Sequence, residues 1–260
     1  SSVYDLASAS KAAGTLLAVM KAYDERKFTL NSKISEFIPE LRDSDKRNLS
    51  VKDLLYHQSG LVPTINFYLH AIDPESYEGS MYSAARNKAH PVRFDARTYV
   101  RNDFSFLPSA VSSVRKPGFT TEVARDFYVC DSYRDTILLD IKDSRLGRKG
   151  RYVYSCVNFI LLKMMVEKQL ERPMDQLLRD DFYKGLGAWH TTYNPLRVMD
   201  SLAIVPTEYD GFIRRQWLRG YVHDEAAAFQ GGVSGNAGLF SNADDLAKVL
   251  QLFLDEGVYG

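Results

Sequence analysis

A chain of 260 residues, 45% of them hydrophobic, is long enough to bury a core and fits one large domain or two small ones. Its 33 basic and 33 acidic residues give a formal net charge of +0, which argues against a nucleic-acid partner, since such proteins carry a basic excess or patch. The apolar runs are short and broken by Lys or Asp, so no membrane-spanning segment is expected, and the abrupt start, without a visible signal peptide, fits a trimmed piece of a longer chain.

The first predicted element is a helix, since Ala13, Leu16, Leu17, Met20 and Tyr23 follow helical spacing and Ser8 or Ser10 can cap its start. After a connector, "LSVKDLLYHQSGL" predicts a second helix, with Ser50 and Asp53 as a capping box and Ser59-Gly60 as its stop. Residues 62 to about 121 show no sustained period and read as a long, partly helical excursion, a lid or an insertion over a pocket. "TEVARDFYVCDSYRDTILLDIKDS" reads as helix and "GRKGRYVY" as a turn into another helix, "SCVNFILLKMMVEKQL". Pro173 follows, and "MDQLLRDDFYKGLG" reads as one more helix with a Gly stop. "SLAIVPTEY" and "GFIRRQWL" are the best strand candidates. "FQGGVSGNAGLFS" is a Gly-rich loop, and "NADDLAKVLQLFLDEG" is a final helix capped by Asn242. The chain is thus expected to be mostly helical with few strands.

The chemistry starts at Ser8-Ala9-Ser10-Lys11. Residues three apart on a helix are neighbours, so Ser8 and Lys11 would place a hydroxyl beside an amine. A serine hydroxyl is a poor nucleophile until a base takes its proton, and a lysine is that base only when neutral. A helix start also offers free amides to a developing oxyanion. Spacing alone leaves an activated nucleophile and two ordinary polar residues about equal, because Ser113 and Lys116 form a second S-x-x-K, there with Pro117 against a helix start. Tyr154 stands just before an apolar helix, where it could share a proton with a lysine; in a chain with 16 Tyr, a half-buried core Tyr is the plainer reading. Cys130 and Cys156 form no CxxC or zinc spacing, and their pairing stays open. The five His are scattered, which favours structural roles; His223 with Asp224 and Glu225 is polar enough for a metal.

Taken in order, four segments resemble the serine hydrolase family of class C β-lactamases, low-molecular-weight penicillin-binding proteins and related esterases. They are "YDLASASKAAGTLLAVMKAYDERKFTLNSKISEFIPEL", "LSVKDLLYHQSGL", "YVYSCVNFILLKMMVEK" and "VHDEAAAFQGGVSGNAGLFSNADDLAKVLQLFLDEG", about two fifths of the chain. The resemblance implies an α+β fold of the β-lactamase/DD-peptidase kind. It implies Ser8 as the acylated nucleophile, Lys11 as its base partner and Tyr154 as the proton shuttle. Cys156, Asn236 and Gly238 would bind substrate. Cys156 stands where the family has Asn, and Asn236 where close relatives have His. The resemblance makes His57 a buttress of the nucleophile helix and His223 part of a hydrogen-bond cluster; it implies no metal and no cofactor.

The family's last motif, Lys-Thr-Gly or His-x-Gly on a strand, is expected beyond Gly260; Lys116-Pro117-Gly118 is out of order for it. Residues 1–260 are therefore expected to be one serine-hydrolase-like domain cut at both ends, mostly its helical subdomain with little central antiparallel sheet, and 62–121 an insertion or lid. Two functions stay open. One is acyl transfer from a D-alanyl peptide, ester or β-lactam through a Ser acyl-enzyme. The other is a catalytically silent module that binds cell-wall peptide or supports a fused glycoside hydrolase. The expected partner is a small-molecule or peptidoglycan-derived substrate, in a bacterial periplasm or cell envelope, with room for further domains outside this chain.

Overall fold

The computed structural model describes residues 2–258. Its helices, in chain order, are α1 (Leu17–Asp24), α2 (Ile34–Phe37), α3 (Val51–Leu55), α4 (Tyr133–Asp143), α5 (Cys156–Leu170), α6 (Met174–Leu178), α7 (Glu225–Ala228) and α8 (Ala243–Leu254). The centre is α5. Residues Val157 to Leu162 and Met164 to Val166 are all buried, so this helix is covered on every side rather than on one stripe. It packs against α1, α2, α3 and α6.

The first helix begins differently from the expectation. Ala7–Ala9 is a tight 3₁₀ turn, Lys11–Leu16 is a wide π turn, and only then does α1 run as regular helix. Neither serine caps it. Ser10 Oγ instead accepts the Leu239 main-chain N–H at 3.0 Å, which pins the helix start to a strand. The other predicted caps are present. Ser50 Oγ accepts the Asp53 N–H while Asp53 Oδ2 accepts the Ser50 N–H at 2.8 Å, and Asn242 Oδ1 accepts the Asp245 N–H at 2.8 Å.

That strand, Leu239–Ser241, is fully buried and lies between Tyr4–Asp5 and Thr192–Tyr193 in a three-stranded antiparallel sheet. The Gly-rich stretch therefore ends in a central strand. The segment expected to run as helix from Thr121 divides: Thr121–Ala124 and Phe127–Val129 form a hairpin turned at Asp126 (φ +55°), and helix starts only at Tyr133. Val123, Ala124, Phe127 and Val129 are buried there, and β-branched and aromatic residues suit such a surface. The two strand candidates pair over their central parts, Glu208–Asp210 with Gln216–Leu218, whereas Ser201–Ala203 is a 3₁₀ turn.

Within residues 62–121, Phe67–Ala71 is a 3₁₀ turn, and Tyr82–Ser83, Val92–Arg93 and Tyr99–Val100 form a small sheet. Phe212 anchors this region, with Tyr68, Phe94 and Phe104 edge-on at 5.5, 5.7 and 5.7 Å. Among the described residues no helix is long and apolar enough to cross a membrane.

Candidate active site

Lys11 lies on the first turn of the π segment and is 4% exposed. Its Nζ donates to Ser8 Oγ at 3.0 Å, to the Asn236 main-chain carbonyl at 2.9 Å and to Cys156 Sγ at 3.5 Å. It also stands 5.1 Å from the centre of the Tyr154 ring and 5.9 Å from that of Phe159. Residues from both ends and the middle of the chain thus meet at one nitrogen. The only acceptors on it among the described residues are a hydroxyl, a carbonyl and a thiol, with no carboxylate.

Ser8 is exposed, so its hydroxyl reaches solvent. The residue before it, Ala7, has φ +45°, a left-handed conformation that costs a non-glycine residue about 1–3 kcal/mol. Asp5 holds it there: Oδ1 accepts the Ala7 N–H at 2.8 Å, and Oδ2 accepts the His223 N–H at 2.7 Å. Burial pushes the Asp5 carboxyl above its ordinary value, against the pull of these two bonds.

Tyr154 is 43% exposed, and its hydroxyl has no hydrogen-bond partner among the described residues. Its ring packs 4.6 Å from the His57 ring. His57 Nδ1 accepts from the Ser155 N–H at 3.1 Å and from Asn158 Nδ2 at 3.0 Å, which leaves the ring proton on Nε2. Burial first, then the charge of Lys11, holds the His57 pKa below its ordinary value. His57 therefore supports Tyr154 and the start of α5 more directly than the nucleophile helix. Asn158 is fully buried between His57 and the Ser59 hydroxyl, which donates to its Oδ1 at 2.6 Å.

The Gly-rich loop brings Asn236 to Lys11. At Gly235 a side chain would overlap the main-chain carbonyl of Phe159 in α5, so only glycine lets the loop lie this close. Gly238 has φ +108°, and a Cβ there would run into the Gly232 carbonyl; its place is in the fold of the loop. The Asn236 side chain is 1% exposed, taking the Ser234 hydroxyl on Oδ1 at 2.7 Å and donating from Nδ2 to Asp224 Oδ1 at 3.0 Å. Only its main-chain carbonyl faces Lys11. Asp224 in turn caps α7 through the Ala227 N–H at 2.8 Å.

His223 turns away from Asp224 and pairs with Glu208 at 3.2 Å, a hydrogen bond that raises its pKa. Among the described residues no three His, Cys, Asp or Glu side chains form a group that could hold a metal. Cys130 and Cys156 are both free thiols. The second S-x-x-K lies off any helix, with Lys116 on a surface turn over Phe119. A cavity of about 670 Å³ lies between α4 and α5, lined by Tyr133, Lys163, Glu167 and Gln230 among others, and contains none of Ser8, Lys11 and Tyr154. Asp5, Ser10, Asp224 and Thr15, whose hydroxyl donates to the Gly235 carbonyl at 2.8 Å, were invisible as site residues in the sequence. Each acts through a main-chain or carboxamide group far along the chain, and no local spacing marks that.

The chain matches the family model described as Beta-lactamase over residues 1–100 and 121–259. It is 31% identical to a protein of Bacillus subtilis (strain 168) named N-acetylmuramyl-L-alanine amidase, over 99% of this chain and 51% of that one. It is 29% identical to a putative D-alanyl-D-alanine carboxypeptidase of Escherichia coli (strain K12), over 99% and 52%. The chain spans about half the length of these curated relatives. Among solved structures, the octameric penicillin-binding protein homologue from Pyrococcus abyssi superposes with a TM-score of 0.60 at 17% identity, covering 99% of this chain and 46% of that one. A class C beta lactamase does so with 0.58 at 17% identity, covering 99% and 52%. Likeness at that identity shows the fold alone, and it is the α+β fold expected from the sequence.

Proposed function

We propose, from the premise that this chain belongs to the Beta-lactamase family, that it transfers the acyl group of a D-alanyl peptide, an ester or a β-lactam through Ser8. The observation that carries this reading is the buried Lys11 Nζ at 3.0 Å from the exposed Ser8 Oγ. In the neutral form Lys11 takes the Oγ proton as Oγ attacks the acyl carbonyl. Tyr154, whose ring adjoins Lys11 and whose hydroxyl is unengaged, passes a proton to the leaving group. Lys11 and Tyr154 act as a pair, since a proton shared between two groups belongs to neither alone. Water then releases the acyl group. The names of the two relatives, an N-acetylmuramyl-L-alanine amidase and a putative D-alanyl-D-alanine carboxypeptidase, support a peptidoglycan-derived substrate and an envelope setting. Residues 1–260 are part of one such domain, with 62–121 as an insertion or lid within it, of which only 101–120 lies outside the matched family model.

A fluorophosphonate or labelled penicillin tests this. Ser8 is expected to carry the adduct, and Lys11→Met or Tyr154→Phe to slow labelling by about 10²–10⁴-fold, the usual range for a lost acid–base group. A chain that never acylates at Ser8 overturns it. The second reading, a binding module without turnover, has Cys156 in its favour, since a thiol is a weak donor for holding a substrate amide. A cell-wall peptide bound equally by wild type and Ser8→Ala, with no acylation, would establish that reading.

A further inference from the structure

Lys11 Nζ meets three partners, and two of them carry a proton of their own. These are Ser8 Oγ at 3.0 Å and Cys156 Sγ at 3.5 Å; the third, the Asn236 carbonyl, has none to give. An amine acting as a base at this point therefore reaches two nucleophiles. Thiols as a class give up their proton near pH ~8.5, far more readily than alcohols, and sulfur is the stronger nucleophile of the two. Cys156 is half-buried and is the first residue of the 15-residue helix α5. Negative charge growing on its sulfur during attack would be met by the helix's positive end and by Lys11.

We propose that Cys156 is a second acyl-accepting nucleophile of this site, so that the acyl group can rest on Cys156 as a thioester as well as on Ser8 as an ester. In direct acylation, Sγ attacks the donor carbonyl, the C–S bond forms and the bond to the leaving group breaks. The thiol proton passes through Lys11 Nζ to the leaving group. In transfer, Sγ attacks the Ser8 ester, C–S forms as C–Oγ breaks, and the thiol proton passes through the same Nζ to Ser8 Oγ. Neither step needs an oxidant or a co-reactant. The transfer step rests on the reading of Ser8 given above; direct acylation of the thiol does not.

The test uses the 260-residue chain with p-nitrophenyl acetate. The reaction is quenched in acid, the adduct is mapped by peptide mass spectrometry, and neutral hydroxylamine is then added, which cleaves thioesters and spares alkyl esters. Ser8→Ala is expected to keep a hydroxylamine-labile acetyl group on Cys156, and Cys156→Ala to keep only a stable one on Ser8. Cys130, free and hydrogen-bonded by the Ser132 hydroxyl at 3.5 Å, is an internal standard. Iodoacetamide should alkylate Cys156 about tenfold faster than Cys130, and Lys11→Met should remove that advantage. A Ser8→Ala chain with no acetyl on Cys156 overturns the proposal, whatever the alkylation rates of the two cysteines. Loss of the Ser8 ester in Cys156→Ala, with the thioester present in Ser8→Ala, would count against Ser8 alone and in favour of the thiol.

Discussion

Gly235→Ala puts the geometry of the Lys11 site under direct strain. A methyl group at Gly235 overlaps the Phe159 main-chain oxygen, stands 2.6 Å from its carbonyl carbon and lies 2.9 Å from Lys163 Cβ. Real Cβ atoms essentially never come within 3.0 Å of a neighbour, and neither of these neighbours is the free end of a side chain. Phe159 sits in the interior of α5, so the loop must retreat instead. Two main-chain carbonyls of this stretch accept hydrogen bonds from the first helix: the Thr15 hydroxyl donates to the Gly235 carbonyl at 2.8 Å and Lys11 Nζ to the Asn236 carbonyl at 2.9 Å. Overpacking costs about 1–3 kcal/mol, and weakening the two hydrogen bonds adds a comparable amount, so the expected loss is about 2–6 kcal/mol. Gly185 is the control, since a Cβ there meets nothing closer than 3.6 Å and its φ is not positive. Gly185→Ala should change stability by no more than about 0.5 kcal/mol. Urea unfolding followed by circular dichroism gives the stabilities, and fluorophosphonate labelling gives the rate at Ser8. If Gly235→Ala is as stable as Gly185→Ala and labels at the wild-type rate, the loop does not press on α5 as described.

Two further outcomes follow from buried titratable groups. Arg214, with its side chain fully buried, donates to Asp210 Oδ2 from Nε at 2.6 Å and to the Val222 and His223 carbonyls at 2.6 Å each. Asp210→Asn should cost about 3–5 kcal/mol at neutral pH by leaving that buried guanidinium with only the more distant Glu208 carboxylate, at 3.8 Å, as counter-charge. Burial pushes the Asp210 carboxyl up, but Arg214 and its hydrogen bonds outweigh this and hold it below the ordinary value. Its stabilisation is thus present above the unfolded value of about 3.9 and lost as pH falls through the lower folded one. The variant's melting temperature should fall less than the wild type's on acidification, and parallel pH curves would refute the pairing. For His57, burial and then the charge of Lys11 place the folded pKa below 6.5. The unfolded chain then takes up the proton first, so this contribution is present above the unfolded value and lost as pH falls through the folded one. Ring resonances followed by NMR should give a midpoint below 6.5, raised in Lys11→Met; a wild-type midpoint at or above 6.5 contradicts the arrangement.

What the sequence made legible were features written in side-chain identity along one element. The apolar run of α5, the Ser50 and Asp53 box and the Asn242 cap were all readable because each is settled within a few residues. The hairpin at 121–129 was not, because Tyr128 to Asp131 run without a Gly or Pro break into the start of α4, and a continuous run invites a single helix. The same limit applies at the site. Ser8 and Lys11 were visible as a spacing, yet Ser113 and Lys116 offered the same spacing on a surface turn. What distinguishes the first pair is the Asn236 carbonyl 225 positions away, and a main-chain carbonyl leaves no mark in the sequence of its residue. The π turn under Lys11 is likewise set by tertiary bonds, to Gly235 and Leu239, and the left-handed Ala7 by a local bond to Asp5, which is itself held in place by the distant His223 N–H.

These bonds form a closed circuit around the nucleophile. Ser8 follows Ala7, whose N–H is held by Asp5; the other Asp5 oxygen holds the His223 N–H. Next to His223, Asp224 holds the Asn236 carboxamide, the Asn236 carbonyl holds Lys11, and Lys11 holds the Ser8 hydroxyl. The two carboxylates in the circuit touch neither reactive atom, yet between them they fix where the hydroxyl and the amine stand. The strain at Ala7 has a physical account on this basis: the left-handed turn persists because Asp5 is itself held from the far end of the chain. It also follows that Cys156, the one hydrogen-bond partner of Lys11 outside the circuit, is the partner whose replacement should leave the positions of Ser8 and Lys11 least disturbed. Chemistry lost from a Cys156 variant can therefore be assigned to the thiol itself.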